Sequence, residues 1–469
     1  MAPGAAADSY AETHQYTISI DYSLSRLWVE ARFASKLKSI TARSNDAGKY
    51  LIDVRGCGQD PSIRMRNRRM MLPQEGIDCI NYTVDLTKAA RSNRDYRELS
   101  ADNIIVSPSL WLWRPELTSR NQIRVRFRLP QDVNVSVPWQ EYGNNPDTYV
   151  IRRSPESSNA LAVFGNFDYR EIDIPGSVLR VALVSTEDRV NHNAIMDWVQ
   201  AAATDVSLAY GMYPNPSPQV VVVPVGNRGD EAVPFGRVIR DGGETVQLFI
   251  NPSRPFSEFM NDWTATHEFS HLMLPYLGAR HRWVSEGFAQ YYQNVLLARA
   301  GTYDDLYAWQ KLYEGFERGR KSRPELSPNE VAERGIRAGL MKIYWSGAAI
   351  ALMADVELRE RSGGKQTLDT VLRDLQACCL PGDRVWTGEE LFAKLDTFVD
   401  EPLFMPLYRR YADTAGFPDP MPLFERLGLR VDNGVVEVRR NGELETIRAE
   451  ITQTDHAAAS SRSSVAAGH

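Results

Sequence analysis

Thr266-His267-Glu268-Phe269-Ser270-His271, followed by Trp283-Val284-Ser285-Glu286-Gly287-Phe288-Ala289, is the stretch from which the rest of this chain is read. If the first piece is helical, His267 and His271 stand one turn apart on one face, so both imidazoles reach one metal ion. Glu268 leaves the helix about 100° round from His267, which sets its carboxylate beside that ion, where it can take a proton from a bound water. Two imidazoles do not complete a catalytic site. Three protein ligands and a water are needed, and Glu286 is the natural third ligand. It opens a second helical segment, 285–299, after a loop carrying Pro275 and Gly278, and an antiparallel helix pair would bring it back against the histidines. An apolar helical run, Phe256, Phe259, Met260 and Trp263, leads into the motif.

This is the His-Glu-x-x-His signature of zinc hydrolases, and it implies one Zn2+ held by His267, His271 and Glu286, with Glu268 as general base. Trp-x-x-Glu-Gly-Phe-Ala downstream resembles the gluzincin metallopeptidases, and among them the chain is most similar to the glycyl aminopeptidase family. A second block agrees: Ile343-Tyr344-Trp345-Ser346-Gly347-Ala348, running into 352–359 and Ser362-Gly363-Gly364. The likeness is coherent over about 160–430 and loose before it. It implies a thermolysin-like α+β catalytic domain behind an N-terminal β domain and a peptide or protein substrate. For Tyr344, three residues before Gly347, it implies the role of pointing at the scissile carbonyl. The implied activity is hydrolysis of peptide bonds, as an aminopeptidase on small or unbranched N-terminal residues. A zinc endopeptidase or processing protease is one alternative; a catalytically silent peptide-binding scaffold is the other.

In such enzymes the strand before the metal helix is an exposed edge on which substrate lies by backbone pairing. Here that expectation falls on Thr245 to Ile250 and makes Gln247 a candidate substrate contact. Aminopeptidases of this type add a glutamate, within Gly-x-Met-Glu-Asn or Gly-Gly-Leu-Glu-His, that holds the substrate amine; neither pattern is present. Gly242-Gly243-Glu244-Thr245 comes nearest, so Glu244 is the candidate amine anchor, with an exposed turn glutamate as its alternative. Gln290, one turn past Glu286, is a candidate to steady a ligand, and His281 is a ligand on paper that ranks below Glu286.

At 469 residues the chain exceeds what one core serves, and its 43% hydrophobic and 24% charged residues are those of an ordinary globular protein. A net charge of -6 with no basic stripe argues against nucleic acid as a partner. No apolar run is long enough to span a membrane. The oligomeric state is not legible. Residues 1–8 lack the basic and apolar regions of a signal peptide, yet an alanine-rich stub suits what remains after one is removed. A periplasmic or secreted location is therefore expected, with a cytoplasmic one as the alternative. Cys57 and Cys79 flank a Pro/Arg-rich excursion and can bridge, whereas adjacent Cys378 and Cys379 are not expected to bridge each other.

Period-two alternation in 16–22, 27–33 and 123–129 gives an antiparallel β sandwich over residues 8–175, as part of an α+β multidomain fold. The catalytic zinc-peptidase domain follows over 176–325. A helical domain is expected over 326–420, a short β segment with strands including 443–451 over 421–453, and a disordered Ala/Ser-rich tail over 454–469.

Overall fold

The computed structural model describes residues 10–58, 63–92, 102–143, 145, 147–157, 159–184, 190–225, 230–439 and 442–453. The expectations for the alanine-rich start and for the tail after 453 lie outside the described residues. Among these residues no helix is long and apolar enough to cross a membrane.

The N-terminal part is built on a seven-stranded sheet. Its order is Gln140–Glu141, Thr148–Ile151, Asn121–Arg128, Glu12–Ile20, Arg26–Leu37, Ile77–Asp85 and Leu51–Gly56. Alternation drives it: Tyr16, Ile18 and Ile20 on one strand and Leu27, Val29 and Ala31 on the next are all buried. With Trp111, Trp113 and Trp139 they form one core beneath two small three-stranded sheets. Pairing is antiparallel with one exception, Glu12–Ile20 against Asn121–Arg128, which run parallel. The chain returns to the free edge of its first strand only after a long excursion, so no tight hairpin dictates the direction. Cys57 and Cys79 are bridged there, with Cα atoms 5.4 Å apart.

We number the elements that build the site. A five-stranded sheet runs β1 (Asp168–Ile174), β2 (Ser177–Leu183), β3 (Gln219–Pro224), β5 (Glu244–Ile250), β4 (Phe235–Arg240). It starts at Asp168, inside the stretch assigned to the N-terminal domain. Strands β2, β3 and β5 pair in parallel, and Val220, Val221 and Val222 are buried on both faces, which explains their unbroken apolar run.

The edge strand is β4, and this corrects the expectation for Thr245 to Ile250. That segment is flanked by β3 and β4, and every residue of β5 is buried. The expectation failed because β4 comes from the glycine-rich, charged stretch before it, where a short partly exposed strand gives only a faint alternation.

The helices that follow share one large core with this sheet. Those that build the site are α1 (Thr264–Ser270), α2 (Arg282–Arg299), α3 (Asp305–Lys321) and α4 (Leu340–Ser362). Two further expectations are corrected beyond them. Residues 443–451 were expected as a strand, but Glu445–Thr452 is a helix. Leu444, Arg448 and Ile451, spaced by four and three, go into the core, and Arg448 pairs with Asp305 at 2.7 Å. Cys378 and Cys379, expected to stay apart, are joined to each other at the end of the helix Leu368–Cys379. Their Cα atoms lie 3.7 Å apart, so chain adjacency itself holds the two sulfurs within reach.

Candidate metal centre

Asp262 lies just ahead of the helix that carries the histidines, and its carboxylate accepts from the N–H of Thr264, the first helical residue, at 2.7 Å. The apolar run before it is a separate helix, Phe256–Met260, and Trp263 is exposed. α1 ends at Ser270, but His271 keeps helical angles in a following 3-10 turn, so the two imidazoles still share a face. Their rings lie 4.9 Å apart. The loop after them is pinned by main-chain bonds between Gly278 and Trp386 and between Trp386 and Tyr276, and it delivers the chain to α2.

There Glu286 Oε2 stands 3.4 Å from His267 Nε2 and 3.5 Å from His271 Nε2. All three ligand atoms fall within 4.8 Å of one another. Ligands held 2.0–2.1 Å from a tetrahedral ion stand about 3.3 to 3.5 Å apart, so these residues fit a zinc ion with one position left open. Burial alone would raise the Glu286 carboxyl, but His271 and His267 hold it well below the usual carboxylate range. The carboxylate is therefore ionised, as a ligand must be.

Two neighbours set the imidazoles. Ser285 Oγ lies 3.0 Å from His271 Nδ1; accepting a hydrogen bond from Nδ1–H there leaves Nε2 free to face Glu286. Arg240 Nη2 donates to the main-chain oxygens of His271 and Leu274 at 3.1 and 3.0 Å, fixing the end of the histidine segment. Sequence reasoning missed both residues. Ser285 carried a signal in its position next to Glu286, while Arg240 carried none.

Glu268 is buried, and burial pushes its carboxyl up to about 7, against the opposing pull of His267. Its carboxylate rests against Gly236 of the edge strand, where an added Cβ would meet Glu268 Cγ at 2.6 Å. Tyr344 on α4 reaches the same place, its ring 6.1 Å from that of His267. The proximity of Glu286, and then burial, keep its phenol protonated at any working pH. Glycines bring it there: a Cβ on Gly287 would fall 2.2 Å from Gly347 Cα, so α2 and α4 touch backbone to backbone.

The remaining candidates sit elsewhere. Glu244 is buried, with one oxygen 2.7 Å from Arg240 Nε and the other accepting from Asn215 Nδ2. It is neither an exposed turn residue nor open to a substrate amine. Gln247 is fully buried and bonds to Arg237 and to the Asn159 carbonyl. His281 packs against Tyr408, its ring 6.2 Å away. Gln290 does not bond to Glu286; it lines a cavity of about 430 Å³ together with His267, Glu268 and Tyr344.

Converging ligands, an edge strand open on one side and an acidic group beside them define the comparison. The chain resembles the zinc metallopeptidases in fold. Residues 277–346 match the model of the M61 glycyl aminopeptidase family, a stretch that holds Glu286 and Tyr344. Among solved structures, an aminopeptidase N family protein from Idiomarina loihiensis is 14% identical with a TM-score of 0.62. That match covers 89% of this chain and 79% of that one. The M1 zinc metallopeptidase from Deinococcus radiodurans is 12% identical with a TM-score of 0.53, over 87% of this chain and 94% of that one. A point mutant of the Deinococcus enzyme, 11% identical with a TM-score of 0.52 over 88% of this chain and 96% of that one, was solved with a Tyr-Ser-Ala substrate. No curated protein sequence matches the chain.

Proposed function

We propose that this chain is a zinc-dependent peptidase, acting as an aminopeptidase on small or unbranched N-terminal residues. The observation that carries the reading is the convergence of two imidazole nitrogens on one carboxylate oxygen at 3.4 and 3.5 Å, with Glu268 beside them. His267, His271 and Glu286 would hold a zinc ion, which would supply Lewis acidity towards a peptide carbonyl and a water of lowered pKa. Glu268 takes the proton of the attacking water and returns it to the leaving amine, a role its shielded carboxyl suits. Tyr344, still protonated, donates a hydrogen bond to the oxyanion as charge develops. β4 pairs on only one side and offers its free backbone groups to an extended peptide, and Gly236 lets that strand approach Glu268. The peptide seen on the Deinococcus relative supports this substrate class.

One observation favours a second reading, an endopeptidase: both oxygens of Glu244 are engaged, which leaves no amine anchor at that position. The two disulfides support a periplasmic or secreted location. Metal analysis combined with cleavage of one peptide in free-amine and N-blocked forms tests the proposal. The aminopeptidase reading expects one zinc per chain and loss of cleavage on blocking. Equal cleavage of both forms transfers the case to an endopeptidase, and a folded, zinc-loaded protein inert on peptide libraries overturns both.

A further inference from the structure

The cavity beside Glu268 and Tyr344 extends past the reacting groups, and its lining includes Gln293, Asn294, Lys311 and Arg318. Gln293 lies seven residues beyond Glu286 on α2, two turns along nearly the same helix face, about 10 Å from it along the axis. It is 4% exposed and lines the cavity. Its side-chain Oε1 is buried and accepts no hydrogen bond from any described residue. A buried acceptor without a donor is costly, and the cost is relieved by whatever brings a donor in.

The cavity is also lined by two cations, half-buried Lys311 and exposed Arg318, which pairs with Glu314 at 3.9 Å; each stands against an aromatic face. Lys311 Nζ lies 5.0 Å from the Tyr307 ring centre, and the Arg318 guanidinium lies 5.3 Å from that of Trp345. Of the carboxylates lining the cavity, Glu231 is exposed at the rim and Glu268 is at the reacting end. A cationic side chain bound deep in this cavity would meet half-buried Lys311, and an anionic one, though drawn to that cation, would bring no donor to Gln293 Oε1. An aliphatic one would leave the Oε1 unpaired. What remains is a long neutral side chain with an N–H or O–H at its tip.

We propose that this cavity is a side-chain subsite for glutamine or a similarly long uncharged donor, and that Gln293 is the residue that reads it. The inference rests on the peptidase reading above and narrows its substrate class.

Glutamine and methionine are close in length and volume but differ in the donor, so they form the test pair. A peptide library with the two exchanged at each position around the cleaved bond should show one position where glutamine is preferred. The expected preference there is about tenfold or more in kcat/KM. In Gln293→Met the preference should vanish or reverse, with zinc content and melting temperature unchanged. In Gln293→Glu, which keeps an acceptor, it should persist. Calorimetric binding of the same two peptides to zinc-loaded Glu268→Gln protein gives a readout independent of turnover. If Gln293→Met does not fold, that measurement and Gln293→Glu decide the matter. Equal treatment of both peptides by the wild-type protein, or a preference untouched by Gln293→Met, overturns the subsite. The peptidase reading falls separately, if no peptide at all is cleaved.

Discussion

Gly236 and Glu268 are in contact: the only side chain the edge strand can carry at that position is a hydrogen, because a Cβ would sit 2.6 Å from Glu268 Cγ and 3.1 Å from its Oε1. Gly236→Ala must therefore push the carboxylate aside. Misplacing a general base by an ångström costs on the order of 10²-fold. We expect kcat to fall by about that factor while zinc content stays at the wild-type level. Unchanged turnover would show that Glu268 has room to move and that the strand does not position it.

Glu268→Gln keeps the shape of the side chain and removes the base. The expected result is a folded, zinc-loaded protein with turnover lowered by roughly 10²- to 10⁴-fold. Glu286→Gln should instead lose metal first, since a neutral amide replaces the only anionic ligand. Metal analysis by mass spectrometry separates the two, and loss of zinc from Glu268→Gln would make that residue structural.

Ser285 acts through His271, 3.0 Å away. Removing such a partner typically weakens metal binding by 10- to 100-fold, about 1.4 to 2.7 kcal/mol. Ser285→Ala should show that loss in a chelator competition, with kcat of the zinc-saturated protein changed far less. Identical zinc affinity would mean that packing alone orients the imidazole.

Gly287→Ala forces a methyl group to within 2.2 Å of Gly347 Cα. Overpacking two backbones should cost about 1 to 3 kcal/mol, visible as a lower melting temperature. It should also lower kcat, because Tyr344 rides on the helix that is pushed away. A stable variant with normal kcat would separate Tyr344 from the helix contact.

The pH dependence has a definite sign. Burial pushes the Glu268 carboxyl up to about 7 without metal, so the base is protonated, and lost, as pH falls through that value. A dication beside it favours the charged form and moves the transition down. The acid limb of kcat/KM should therefore lie below pH 7 in the zinc-loaded protein. A limb above pH 7 would assign it to another group.

The metal centre was legible because its chemistry is local: His267, His271 and Glu268 sit on one helical turn, and Glu286 follows within a short loop. Tyr344 was reachable only through family resemblance, because the periodicity of α4 shows just another aromatic in an apolar helix. The edge strand was not legible. β4 and β5 differ in how many neighbours they have, and that is decided by sheet order rather than by side-chain pattern. Glu244 was misplaced for the same reason, since its burial depends on Arg240 across the hairpin and on Asn215 from a distant loop. Residues 443–451 looked like a strand until Arg448 found Asp305.

The turn between β4 and β5 does not end in solvent. Arg43 and Arg114 of the N-terminal part hold Asp241 at 3.2 and 3.5 Å, and an added Cβ on Gly243 would collide with the Pro138 carbonyl. The β domain thus grips one end of a lever whose other end is the wall against Glu268. Severing the two halves would leave the zinc ligands in place yet free that wall to swing, so a stand-alone catalytic fragment should bind metal well and hydrolyse poorly.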